Sequence, residues 1–301
     1  MRAAFSALAH SAFRAATAGA LLAALGAPAA LAGQTSGPPP PATRAPAHAR
    51  RHAAATTATP DPFTSPALRR FLATRAGNIT AAVYDVATGT EFAYRPSVRE
   101  QTASIIKVDI LATLLDELQA RGASLTGSQL GLATQMIELS DNNAASDLWD
   151  DAGGGPAVLD YDEDAGMDRT SPNDGGYWGL SWTTAEDQID LLRTVMLPNA
   201  LLDLASREYE YELMRNVVES ERWGVSAGLA PDAVVALKNG WLPLPGGWQI
   251  NSIGSVVGSR RHYLLAVLTD DDPTEGYGIA TIEQISASVW SDLRPRPRRR
   301  R

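Results

Sequence analysis

The sequence predicts an α+β fold: an antiparallel β-sheet flanked by N- and C-terminal helices, with an all-helical lobe inserted between its strands. Three observations predict it. Alternating or β-branched runs fall at both ends of the body of the chain, at 79–86 and 91–94 and again at 233–237, 248–257 and 263–269. Between them apolar residues recur at helical spacing over 105–120, 128–139, 144–149, 185–196 and 201–217. Strands from the two ends must then pair with each other, which closes a sheet around an inserted lobe.

Taken in order, residues 1–32 read as an export signal, with a membrane anchor as the competing reading. Arg2 and Arg14 lie in the leading region, an apolar run covers 15–25, and the small-residue pattern Ala30-Leu31-Ala32 precedes Gly33. Residues 33–64 are rich in Pro, Ala, Thr and His, including the run 38–41, and read as a semi-extended linker. The folded domain is expected over 65–293, with the helical lobe at about 100–220. Pro66 suits a first helical turn, and Leu68, Phe71 and Leu72 form an apolar stripe behind it. Thr88-Gly89 marks the turn of the first hairpin, and an amphipathic helix over 279–290 closes the domain. Residues 294–301 form a basic tail.

Composition removes several functions. All 34 acidic residues lie between the five Arg of 1–60 and the six of the tail. A body this acidic is not expected to bind nucleic acid, whereas linker and Arg tail could touch an anionic wall polymer or membrane surface. There is no cysteine among the 301 residues, so disulfides, zinc–thiolate sites, a cysteine nucleophile and a lipid anchor on cysteine are excluded. Of the four histidines, only His262 lies in the body. A Ser-His-Asp triad and a His-rich metal centre are therefore not expected, and no metal or cofactor is implied.

Lysine is more telling. The chain has only two, Lys107 and Lys238, and uses Arg everywhere else. A buried amine can lose its proton, whereas a guanidinium cannot. Lys107 stands three residues after Ser104 at a helix start, one turn away on the same face. The helix N-terminus favours negative charge developing on the Ser oxygen. Ser140-Asp141-Asn142 follows the helix that ends near Leu139; helix capping is its plain structural reading. Lys238-Asn239-Gly240 sits at the end of a strand, and its plain reading is an Asn-Gly hairpin turn. Gly240 would also let a substrate backbone approach the strand edge.

In this order the three triplets resemble the Ser-x-x-Lys, Ser-Asp-Asn and Lys-Thr-Gly signature of class A β-lactamases and penicillin-binding proteins, over 65–293. The resemblance implies the β-lactamase/transpeptidase fold and a serine hydrolase acting on β-lactams through an acyl-Ser104 intermediate. A D-alanyl-D-alanine peptidase of wall peptide, or a binding protein that does not turn over, would fit the same triplets. It implies Ser104 as nucleophile, Lys107 as its base, Ser140 as proton shuttle to the leaving nitrogen, and Asn142 as the group orienting substrate and Lys107. Lys238 would draw in a substrate carboxylate, Asn239 and Gly240 would line the substrate, and the backbone N–H groups of Ser104 and Trp241 would form the oxyanion hole. The partner is then a β-lactam or a D-Ala-D-Ala peptide, and the protein an exported, secreted or envelope-associated monomer.

Two departures stand out. Asn239 replaces the family's Thr or Ser and has no hydroxyl to share a proton. The loop 169–179, ahead of Thr183-Thr184, lacks the Glu that activates the deacylating water in class A enzymes; Asp174 is its nearest carboxylate, and Asp160, Asp162, Glu163 and Asp164 read as solvated loop charges. Altered deacylation follows.

Overall fold

The computed structural model describes residues 60–173 and 175–293. The expected signal, most of the linker, the Arg tail and Asp174 lie outside the described residues.

The folded body starts earlier than expected. Phe63, within a short 3-10 turn over Pro62–Thr64, is buried and faces the Tyr94 ring at 6.4 Å. The Pro-rich composition hid two buried residues, Pro62 and Phe63, at the end of the linker.

Helix α1 (Pro66–Leu72) leads into β1 (Asn78–Asp85) and β2 (Thr90–Tyr94). The chain returns to the sheet only at β5 (Val234–Leu244), β6 (Gly247–Gly258) and β7 (Arg261–Asp272), and α8 (Glu275–Asp292) closes it. The sheet order is β2-β1-β7-β6-β5, antiparallel throughout. Between β2 and β5 lie the short β3 (Glu100–Gln101), α2 (Ile106–Ala120), α3 (Gly127–Glu138), α4 (Asn142–Ala152), α5 (Gly154–Ala165), the short β4 (Trp182–Thr183), α6 (Ala185–Met196) and α7 (Leu204–Arg215). The α+β architecture is the expected one: a sheet with terminal helices on one face and an inserted helical lobe on the other.

Strand alternation explains why both layers stay attached. On β7, Leu264, Ala266 and Leu268 join Ile110, Leu114, Ile189 and Leu192 of the helical lobe. The intervening Tyr263, Leu265 and Val267 join Leu68, Leu72, Ile282 and Val289 of α1 and α8. A strand buried on both faces reads as a continuous apolar run, and burying each such side chain contributes about 1.5–3 kcal/mol.

Two expectations change here. Lys238-Asn239-Gly240 is not a turn: β5 continues through it, pairing Lys238 with Ile253 and Gly240 with Asn251, and the turn falls at Pro245-Gly246. The acids read as loop charges lie on α5, whose Val158 and Tyr161 are buried at helical spacing; Asp162 points the same way and is fully buried.

Candidate active site

The segment that carries Ser104 is held from three sides. β3 pairs with β4, Glu100 opposite Thr183, and Thr102 N–H donates to Ser181 O at 2.9 Å. The Asn251 amide on β6 donates to Gln101 O at 2.8 Å and Thr102 O at 2.9 Å. Ala103 adopts the left-handed region (φ 45°), which strains a residue with a Cβ by about 1–2 kcal/mol, and Ser104 follows in a 3-10 turn that runs into α2. β5 presses on this turn: a Cβ on Gly240 would stand 2.7 Å from Ser104 N and 3.0 Å from Thr102 O. Only glycine lets the strand edge lie there.

Lys107, one turn into α2, is fully buried. Its Nζ donates to Ser140 O at 2.6 Å and to Asn142 Oδ1 at 2.8 Å, and lies 3.2 Å from Ser140 Oγ. Ser140 takes a left-handed backbone (φ 55°) between α3 and α4, which turns both its carbonyl and its hydroxyl toward the amine. Asp141 fulfils the capping reading, accepting from Ala144 N–H at 2.8 Å. Capping thus accounts for the middle residue of the triplet and leaves the outer two to Lys107.

Lys238 reaches the same hydroxyl from the sheet side. Its Nζ donates to Ser140 Oγ at 2.8 Å and to its neighbour's carbonyl, Asn239 O, at 3.0 Å. Glu221 Oε2 stands 3.7 Å away, an ion pair longer than a hydrogen bond. Burial pulls Lys107 down to about 7, helped by the Lys238 charge and opposed by Glu221 and Asp141. Burial also lowers Lys238, to about 8, with Glu221 holding it up. Two amines poised near neutrality therefore share one hydroxyl.

Above them opens a cleft of about 550 Å³ lined by Ser104, Asn142, Ser146, Tyr177, Trp178 and Trp241, among others. Trp178, whose ring centroid lies 5.1 Å from Lys107 Nζ, is fixed by a bond from its Nε1 to Ser146 Oγ at 3.3 Å.

The structure thus brings Ser104, Lys107, Ser140, Asn142, Lys238, Gly240 and Trp241 to one place. Lys107 is drawn to Ser140 and Asn142; among the described residues no hydrogen bond joins it to Ser104 Oγ. Asn239 departs from expectation. It is buried, and its amide donates to Glu221 O at 2.7 Å and Trp223 O at 3.1 Å, stitching β5 to the preceding loop instead of offering itself to a ligand. Sequence reasoning missed Glu221, Trp178 and Asn251. None lies in a motif, and only the loss of a loop Glu pointed toward Trp178.

The model of the β-lactamase enzyme family matches residues 64–130 and 126–293. The chain belongs to this family. Among solved structures, a class A β-lactamase from Bacteroides cellulosilyticus superposes with a TM-score of 0.69 at 19% identity, over 78% of this chain and 98% of that one. PBP-A superposes at 0.66 and 18%, over 75% and 93%. At these identities the likeness is one of fold. A Mycobacterium tuberculosis protein named "Putative lipoprotein LppW" is 25% identical over 228 residues, covering 72% of this chain and 70% of that relative. Within the β-lactamase family fold, the cleft described above lies where sheet and helical lobe meet, on the edge strand β5.

Proposed function

We propose that the protein is a serine hydrolase that is acylated on Ser104, accepts β-lactams, and releases the acyl group slowly. The observation that carries this reading is the convergence of Lys107 and Lys238 on Ser140 Oγ beneath the cleft that exposes Ser104.

Lys107, uncharged in part at pH 7, takes the Ser104 proton, and Oγ bonds to the substrate carbonyl carbon. The oxygen that gains charge sits at the N–H groups of Ser104 and Trp241, which Gly240 keeps close together. Ser140 then passes the proton from Lys107 to the leaving nitrogen while the Lys238 ammonium polarises its hydroxyl, and the C–N bond breaks. Asn142 holds Lys107 in line.

Release needs a water and a base. The loop 169–179 contains no Glu, and it puts the Trp178 ring beside Lys107. Asp174 is the loop's remaining candidate base. Absence of a general base typically slows a step about 10²–10⁴-fold. This favours a second reading, a β-lactam or wall-peptide binder that is acylated once and held; a D-alanyl-D-alanine peptidase uses the same first step.

A mass-spectrometric time course with benzylpenicillin tests the reading. An adduct of the whole penicillin on the parent protein and none on Ser104→Ala supports it; no adduct on either removes it. Nitrocefin then separates the variants of the reading, with many turnovers for a lactamase and a single burst for a binder.

The export pattern of 1–32 and the name of the mycobacterial relative support an envelope location. Without cysteine the anchor cannot be a lipidated thiol. Among the described residues no helix is long and apolar enough to cross a membrane. Fractionation of cells expressing the full chain checks this.

A further inference from the structure

Glu221 has no role in the chemistry derived above, yet its carboxylate is one of the two charges that answer the site's ammonium groups. Its Oε2 is buried, has no hydrogen-bond donor, and lies 3.7 Å from Lys238 Nζ. At that distance the two charges pair while standing farther apart than a well-formed hydrogen bond. The residue is nonetheless held firmly. It ends a 3-10 turn over Glu219–Glu221, and its carbonyl accepts from Asn239. Its neighbour Arg222 donates from Nη1 to Arg215 O at 2.8 Å and from Nη2 to Val235 O at 3.2 Å. The turn is thereby fastened to the end of α7 and to β5.

Lys238 has three N–H groups. One goes to Ser140 Oγ and one to Asn239 O, and the third has Glu221 as its charge partner. Among the described residues Lys107 is the other ammonium at the site, and Asp141 adds a second negative charge to the field it feels. Arg222, the nearest guanidinium in sequence, is occupied with backbone carbonyls. When Lys107 is neutral and ready to act, the described residues leave the site no free positive charge. Trp178, Tyr177, Leu242 and Trp241 make its walls apolar and aromatic, and Trp223 packs edge-on to Trp241 at 6.2 Å.

We infer that Glu221 is a specificity residue: its carboxylate occupies the counter-ion place on Lys238, so the site favours acyl donors that are uncharged beside the scissile bond. Such donors are esters, thioesters or amides carrying an apolar acyl group. A donor with a free carboxylate there meets a compensated ammonium and a like charge, a repulsive element of the kind that sets specificity. β-Lactams with a free carboxylate are then captured, but inefficiently. The inference rests on acylation of Ser104.

The test uses two phenylacetylglycyl thioesters, of thioglycolate and of its methyl ester, differing only in one charge on the leaving thiol. Ser104 attacks the thioester carbon, the C–S bond breaks, and the thiol leaves with the proton from Lys107. Thiol release is read with a disulfide dye, against no protein background because the chain has no cysteine. In the parent, kcat/KM for the methyl ester should exceed that for the acid by about tenfold or more, the size of effect one like charge at close range produces in a poorly solvated site. In Glu221→Gln both donors share whatever change follows from Lys238 losing the carboxylate that holds it protonated, and on top of that the ratio should fall at least about tenfold through a relative gain for the acid. Equal ratios in the two proteins, or equal changes for both donors, overturn the inference and leave acylation standing. Should Glu221→Gln fail to fold, the parent decides alone: a ratio of one or less overturns it. Release from neither donor by the parent overturns the acylation reading, and this inference with it.

Discussion

Lys107 and Asp109 lie two residues apart on α2, on nearly opposite faces of the helix, and both are essentially inaccessible. Lys107 faces the cleft, where Ser140 and Asn142 supply oxygens and Lys238 stands behind the same hydroxyl. Asp109 faces the interior of the helical lobe, where Asp162 of α5 and Glu210 of α7 are buried with it. As carboxylates these three acids have no hydrogen-bond donor for any of their oxygens. Burial drives both groups toward their neutral forms: the lysines down, the acids up. The difference lies in what surrounds the neutral form. The amine has oxygen partners and opens to a cleft, so its proton can be moved. The acids have only each other, so burial holds their protons to higher pH and the cluster serves packing.

The comparison is broken most severely at Lys107. Lys107→Arg keeps the charge and the reach toward Ser140 but removes the base proposed for acylation, since a guanidinium does not deprotonate. Acylation by benzylpenicillin, followed by mass spectrometry, should slow about 10²–10⁴-fold while the fold survives. Unchanged adduct formation would show that Lys107 is structural, like Asp109. Next in size is Gly240→Ala. The added Cβ would stand 2.7 Å from Ser104 N, so strand or turn must shift and the two backbone donors part. Loss of one such donor typically costs about 10²–10³-fold in rate. The rate should fall, and because the added atom meets backbone on every side, thermal stability should fall with it.

The third test is a pH profile. Lys107 must be neutral to accept a proton, so acylation should rise about tenfold per pH unit below about 7. It should fall again as Lys238 loses its charge above about 8. Because the two amines share Ser140, the limbs belong to the pair. A flat profile from pH 5 to 9 would remove the amine as the base.

These features differed in how well the sequence announced them. The scarcity of lysine marked both site amines, because an acidic chain that otherwise uses only Arg has little surface reason for two exceptions. Strand alternation at both ends and helical spacing between them carried the α+β fold. Helix α5 escaped because Asp160, Asp162, Glu163 and Asp164 masked the buried spacing of Val158 and Tyr161; a buried acid looks like a solvated one until its neighbours are known. The extent of β5 escaped because Asn-Gly favours turns locally, while here Asn239 is held by the carbonyls of Glu221 and Trp223 and Gly240 by the need for close approach. Tertiary contacts override local preference at the positions where the site is built.

The smallest effect sharpens the comparison through stability. In the unfolded chain the carboxyls of Asp109, Asp162 and Glu210 ionise near pH 4, whereas in the fold burial keeps them protonated to higher pH. The folded state then binds more protons, so the contribution of these acids is complete below about pH 4 and is lost as pH rises. The lysines act with the opposite sign and in another window. Below about 7 they are protonated in both states and contribute no slope; between about 7 and the ordinary lysine range the unfolded chain binds more protons, and stability gains with pH. Urea unfolding between pH 5 and 7 therefore reports carboxyls rather than lysines, Glu91, Glu100 and Asp272 among them, and the difference between parent and variant isolates one member of the cluster. Asp162→Asn, which keeps the shape and removes one titrating group, should flatten the decline by about 1.4 kcal/mol per pH unit for the one proton no longer retained. An unaltered slope would mean that Asp162 is ionised in the fold, and that the interior of the helical lobe holds a charge in the way the cleft does.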